Sequence, residues 1–124
     1  MRFARYVGRV FGYRPGEGAA VTQQTNRTTA VTINSPSGTI TTNNASLAAE
    51  AAADFTVNNS VVKATDVVVV SAKSGVVGAL TDVTVVGVAA GSFTLRVSNN
   101  NPAAGTAETG AIQINFAVIS GQAA

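Results

Sequence analysis

Carboxylates are the side chains here best suited to acid–base or metal chemistry, and their distribution argues against both. There are six in 124 residues, Glu17, Glu50, Asp54, Asp66, Asp82 and Glu108, scattered singly along the chain. Histidine is absent, which removes the usual general base, the commonest metal ligand and the neutral-pH switch. Cysteine is absent too, so there is neither a thiolate nucleophile nor a disulfide framework. Asp54 and Asp66 could meet in three dimensions as an acid–base pair, but in so small a domain scattered acids read as solvation at strand ends. Asp66 and Asp82 with Asn oxygens could hold calcium, yet no D-x-[DN]-x-[DN]-G run is present. Lys63 and Lys73 stand beside no motif that would activate an amine, and no glycine-rich phosphate loop opens a helix. Asn43-Asn44 and residues 99–101 could bind a sugar through amides, but they read first as turn formers. These residues predict no enzyme, no cofactor and no metal site.

The one concentration of reactive surface is N-terminal. Residues 1–14, MRFARYVGRVFGYR, hold Arg2, Arg5, Arg9 and Arg14 and no acid, so this arm carries +4 while the remainder carries −2. They also hold Phe3, Tyr6, Phe11 and Tyr13, four of the seven aromatic residues in the chain. Guanidinium groups pair bidentately with carboxylates or phosphates, and aromatic side chains fill pockets at interfaces. Arg2, Arg5 and Arg9 recur at i, i+3 and i+7, which would align them on one helix face, with Phe3, Val7 and Val10 on a neighbouring face. Gly8 and Gly12 each weaken a free helix by about 1 kcal/mol. The expectation is an arm disordered alone and ordered on a partner: a protein surface first, nucleic acid second, a cleaved targeting peptide or solvated tail third.

Something must hold that arm. Residues 14–20, RPGEGAA, read as a Pro/Gly linker, giving an arm and linker over residues 1–20 and one domain over residues 21–124. Apolar residues make up 46% of the chain but charged ones only 11%, well below the usual quarter. Such a surface suits a protein that lives in an assembly. The longest apolar runs are far short of a membrane span, and none has the core of a secretory signal peptide.

The domain reads as about seven strands. Residues 28–34 alternate with Val31 and Ile33 inward, residues 35–38 (SPSG) turn, and residues 39–42 form a short strand around Ile40. Residues 45–53 are alanine-rich enough for a helix, but Leu47, Ala49, Ala51, Ala53, Phe55 and Val57 also alternate, so a loop and then a strand is preferred. Residues 65–71, TDVVVVS, are β-branched at four consecutive positions. Valines on both faces predict a central strand covered on both sides, with Asp66 and Ser71 reaching water. Residues 72–78 read as a loop and residues 80–88 as a strand with Gly87 at a bulge or its end. In residues 92–98 Phe93, Leu95 and Val97 point inward, and residues 99–105 form an exposed loop. The last strand spans residues 110–120 with Ile112, Ile114, Phe116 and Val118 inward. The predicted fold is all-β: an antiparallel sandwich of immunoglobulin-like or jelly-roll-like type with a basic N-terminal arm.

From about residue 21 to residue 121 the chain resembles a group of small bacteriophage and prophage virion proteins. The resemblance is carried by VTQQTNRTTAVTIN, GTITTNNASLAAEAAADFTVNNS, TDVVVVS, VAAGSFTLRVSNN and AIQINFAVISG. It implies a structural virion component, a head decoration (cement) protein on the capsid exterior, bound to major capsid protein and associated with copies of itself, trimers being favoured. A tail, fibre or adhesion module is the alternative within the same class. The arm lies outside the resembling region, so Arg2, Phe3, Arg5, Tyr6, Arg9, Phe11, Tyr13 and Arg14 are assigned to partner binding on their own chemistry.

Overall fold

A computed structural model describes residues 5–7, 10–14 and 16–121, with the backbone course alone for residues 5–7, 10 and 11. It is all-β, with no helix among the described residues. Two short strands, β1 (Arg5–Val7) and β2 (Val10–Gly12), pair as an antiparallel hairpin. Eight further strands make two four-stranded sheets. The first is ordered β3-β5-β10-β7, from Gly18–Thr22, Ser37–Thr41, Gln113–Ile119 and Val67–Ser74. The second is ordered β4-β6-β9-β8, from Val31–Thr32, Ala52–Asn58, Ser92–Asn99 and Thr81–Ala89.

The two sheets face each other across one apolar core, and the alternation written in the sequence builds it. Phe55, Val57, Phe93, Leu95 and Val97 enter from the second sheet, and Ile40, Ile114, Phe116 and Val118 from the first. The rings of Phe93 and Phe116 meet across the sheets at 5.5 Å between centroids, tilted by 52°, a geometry that satisfies the ring quadrupoles. Most other core residues are valine or isoleucine, so stability is spread over many modest burials, each worth about 1.5–3 kcal/mol. The alanine-rich stretch resolves as the alternation predicts. Leu47, Ala53, Phe55 and Val57 are buried, Leu47 forms an isolated bridge to Glu108, and β6 begins at Ala52. A continuous alternation buries one face of a strand, whereas a helix would scatter the same residues around its axis.

Several expectations need correction. The sheets are mixed: β3 pairs parallel with β5 and β4 parallel with β6, so each sheet carries one parallel pair at an edge. The four-valine strand is not central. β7 is the edge of its sheet, paired only with β10, and Val67 and Val69 are 54% and 49% exposed. Val68 is buried and Val70 half-buried, so the strand is an alternating one whose outward positions also happen to be valine. Asp66 does not reach water. It is buried, accepting the Lys63 amide at 3.0 Å and the Gly121 amide at 3.4 Å.

The residues 72–78 loop is shorter than expected because β7 runs to Ser74, and the residues 35–38 turn is shorter because β5 starts at Ser37. Gly18–Ala20, read as linker, already pair with β5. The β8 bulge falls where expected, between Val85 and Gly87. Residues 99–105 are not wholly exposed: Asn99 and Asn101 are buried. The Asn99 side chain donates to the carbonyls of Leu47 and Thr106, both at 3.0 Å, and its Oδ1 accepts from the backbone and the side chain of Asn101. Asparagine works here as a loop splice, satisfying backbone groups that would otherwise be orphaned.

Candidate interaction surface

The arm residues divide into those the structure places and those it does not. Arg2, Phe3 and Arg9 lie outside the described residues. Arg5, Tyr6 and Phe11 belong to the β1–β2 hairpin, with Tyr6 opposite Phe11 and Arg5 opposite Gly12. The i, i+3, i+7 spacing of the arginines predicts a helical face, but Arg5 sits in a strand. Gly8 and Gly12 disfavour the helix, while Tyr6, Val7, Val10 and Phe11 are strand formers.

Tyr13 and Arg14 are fully described. The Tyr13 hydroxyl donates to the carbonyl of Val118 on β10. Burial, and then the nearby carboxylates of Asp66 and Glu17, push its phenol above the ordinary range. The Val118 amide donates to Pro36 at 2.7 Å, so both backbone groups of Val118 point away from β7. Tyr13 thus roots the arm at the end of the first sheet where β7 begins. Arg14 is exposed; its amide donates to Glu17 Oε2 at 3.2 Å and its carbonyl accepts the Glu17 amide at 3.0 Å, a tight turn between arm and sandwich.

Most of the scattered acids are taken up by local structure. Asp54 and Arg96 face each other across β6 and β9 and form a two-pronged pair, 2.7 Å to Nε and 3.0 Å to Nη2. That hydrogen-bonded pairing holds the Asp54 carboxyl below its usual range and raises the guanidinium. Asp82 accepts from the Asn100 side chain at 3.2 Å. Among the described residues no cluster of Asp and Glu is arranged to hold a metal ion.

Two ionic side chains sit where a sequence reading gives no hint of them. Glu108 is sealed from solvent and Arg27 is 4% exposed. Glu108 accepts the amides of Gly78 at 2.7 Å, Gly110 at 2.8 Å and Val77 at 3.0 Å. The Thr81 hydroxyl faces the same carboxylate, short of full hydrogen-bond geometry. Burial pushes the Glu108 carboxyl up, but Thr81 and the three amides together outweigh it and hold it below the usual range. Gly110 must be glycine: a β-carbon there would lie 1.8 Å from the Gly75 carbonyl and 2.8 Å from the Glu108 carboxylate.

Arg27 does the converse for carbonyls. It donates to Ala45, to Gly110 at 2.9 Å, to the Glu108 backbone at 3.2 Å and to the Thr42 hydroxyl at 3.3 Å. Burial pulls its guanidinium down and the Glu108 carboxylate partly restores it. Together the pair locks the loops at residues 42–45, 75–78 and 106–111. All their contacts are to backbone or threonine hydroxyls, which is a fastening and not a reactive site.

What remains open is apolar. A depression of about 200 Å³ on the first sheet is lined by Val69, Val70, Ser71, Asn115, Phe116 and Ala117. Beside it lie the exposed Val67 and Ile119, register partners across β7 and β10. The outward positions of this sheet, including Thr39, Asn115 and Ala117, carry no charge between Gly18 and Ala72. Such a face is suited to docking on protein. No family model, curated protein or solved structure matches the chain.

Proposed function

We propose that the protein is a structural component of a bacteriophage virion that decorates the capsid exterior by binding major capsid protein. The observation that supports this best is the Tyr13 bond to Val118, which fixes a basic, aromatic-rich arm onto a rigid, nearly uncharged sandwich. Four acids of the sandwich, Asp54, Asp66, Asp82 and Glu108, are engaged in its own fastenings, which favours a binding role over catalysis. In this reading Arg2, Arg5, Arg9 and Arg14 pair with capsid carboxylates, and Phe3, Tyr6 and Phe11 fill pockets. Binding the assembled shell and not its free subunits would stabilise it by mass action, and several arms on one oligomer would add avidity.

Removal of residues 1–12, leaving the Tyr13 anchor, is expected to abolish co-sedimentation with capsids while leaving the thermal unfolding midpoint within about 2 °C, since exposed changes cost little. Full retention of capsid binding by the truncated chain overturns the reading. DNA binding that collapses with added salt would instead place the arm on nucleic acid, and a copy number of a few per particle would place the protein in the tail.

A further inference from the structure

We infer that β7 is a subunit interface, pairing antiparallel across a two-fold axis with β7 of a second copy so that the first sheets of two molecules join edge to edge. The exposed large apolar side chains are gathered at one side of the sandwich. Among the residues whose side chains are described, Val67, Val69, Val76, Val77, Leu80 and Val86 all lie on β7, on β8 or on the loop between them, and the remaining one, Ile119, is the cross-strand partner of Val67.

Of the edge strands among the described residues, β7 alone is both long and unguarded. β4 has two residues and β3 five; β8 is broken by its bulge at Val86. β7 has eight residues, and its register with β10 is regular from Val67 to Ala72, without proline or charge over that span. Natural edge strands are usually blunted by charge, proline or a bulge, and an edge lacking all three over this length is built to be covered by a strand.

The backbone phase identifies which groups await a partner. Val118 turns its amide and carbonyl away from β7, to Pro36 and Tyr13. Its register partner Val68 is therefore a non-bonded position of that ladder, and Val68 and Val70 direct their backbone groups to the open edge. A second copy placed with Val69 opposite its own Val69 lets Val68 and Val70 exchange backbone hydrogen bonds with Val70 and Val68 of that copy. The two Val69 side chains then meet on the outer face as a close, non-bonded pair. In this register Lys73 falls opposite Thr65 of the second copy, so no like charges are set face to face along the paired strands. A contact of this kind is isologous and closes at a dimer, in place of the three-fold arrangement that the resemblance implies. It does not rest on the capsid reading and would stand in a protein that binds no capsid.

The full chain should sediment as a dimer at tens of micromolar. Val69→Lys, a change at an exposed position, is expected to give a folded monomer with an unchanged circular dichroism spectrum, because it sets like charges opposite each other. Val86→Lys, equally exposed but on β8, should remain dimeric. Val69→Cys should form a disulfide-linked dimer on mild oxidation, since non-bonded antiparallel pairs bring Cα atoms to about 4.5 Å and the disulfide range begins near 4.4 Å. A wild-type monomer or trimer, a Val69→Lys dimer, or a Val69→Cys chain that does not cross-link would each overturn the proposal. Loss of capsid binding with the dimer intact would sink only the capsid reading.

Discussion

Replacing Glu108 by alanine should cost about 3–5 kcal/mol of folding free energy, because it strands several buried donors at once. The amides of Val77, Gly78 and Gly110 all end on this carboxylate, which is wholly inaccessible to solvent. An unsatisfied buried amide costs about 1–3 kcal/mol, and the loss would be partly offset where water enters the space left behind. Glu108→Gln keeps one acceptor oxygen but turns an NH2 group toward N–H donors, and should cost about 2 kcal/mol.

The pH dependence separates charge from shape. The folded-state pKa of Glu108 lies below its ordinary value of 4.5. The unfolded chain therefore takes up this proton first as pH falls. The contribution of Glu108 is fully present above about pH 4.5 and is lost as pH drops through the depressed folded value. Urea unfolding of the wild type between pH 7 and pH 2 should show a falling midpoint over that window. Glu108→Gln should show a much shallower fall, with what remains owing largely to the surface Asp54, whose carboxyl is also held low. An equal acid slope in both proteins would mean that folding leaves the Glu108 pKa unchanged, so that the buried amides do not favour its charged form.

The alternation of Phe93, Leu95 and Val97, and of Ile112, Ile114, Phe116 and Val118, is written in side-chain type and period, so the core was legible. These residues are buried where the pattern puts them. What was not legible depends on partners remote in sequence. Arg27 lies in a polar stretch, and only the fold brings residues 108–110 to its guanidinium; Glu108 looks like any other isolated acid until three amides close around it. The parallel pairs β3–β5 and β4–β6 were equally hidden, because a strand's own residues do not declare the direction of its neighbour. The arm misled for a different reason. Its arginine spacing fits a helix, while its glycines and aromatics favour the hairpin, and local propensity prevailed over charge periodicity. Of the proposed site, the chemical character of the arm was legible, but its anchoring through Tyr13 was not, since a tyrosine hydroxyl bonding to Val118 is set wholly by tertiary structure.

The four valines of β7 show the same limit, and substitutions at two neighbours measure it. Val68→Asp should destabilise by about 3–5 kcal/mol, since it forces an unpaired carboxylate against the core. Val68 is 9% exposed and packs with the buried cluster from both sheets. Val69→Asp should change stability by no more than about 0.5 kcal/mol when measured at dilution, where self-association adds nothing by mass action. Val69 is 49% exposed and on the opposite side of the same strand. A central strand covered on both faces would make the two substitutions comparably damaging; an alternating edge strand makes them differ by a factor of roughly several hundred in the folding equilibrium, at 1.4 kcal/mol per tenfold. Urea midpoints of the two variants at submicromolar concentration decide between these outcomes. If Val69→Asp proves as costly as Val68→Asp under those conditions, β7 is covered on its outer face within a single molecule, and the edge-to-edge dimer falls with it.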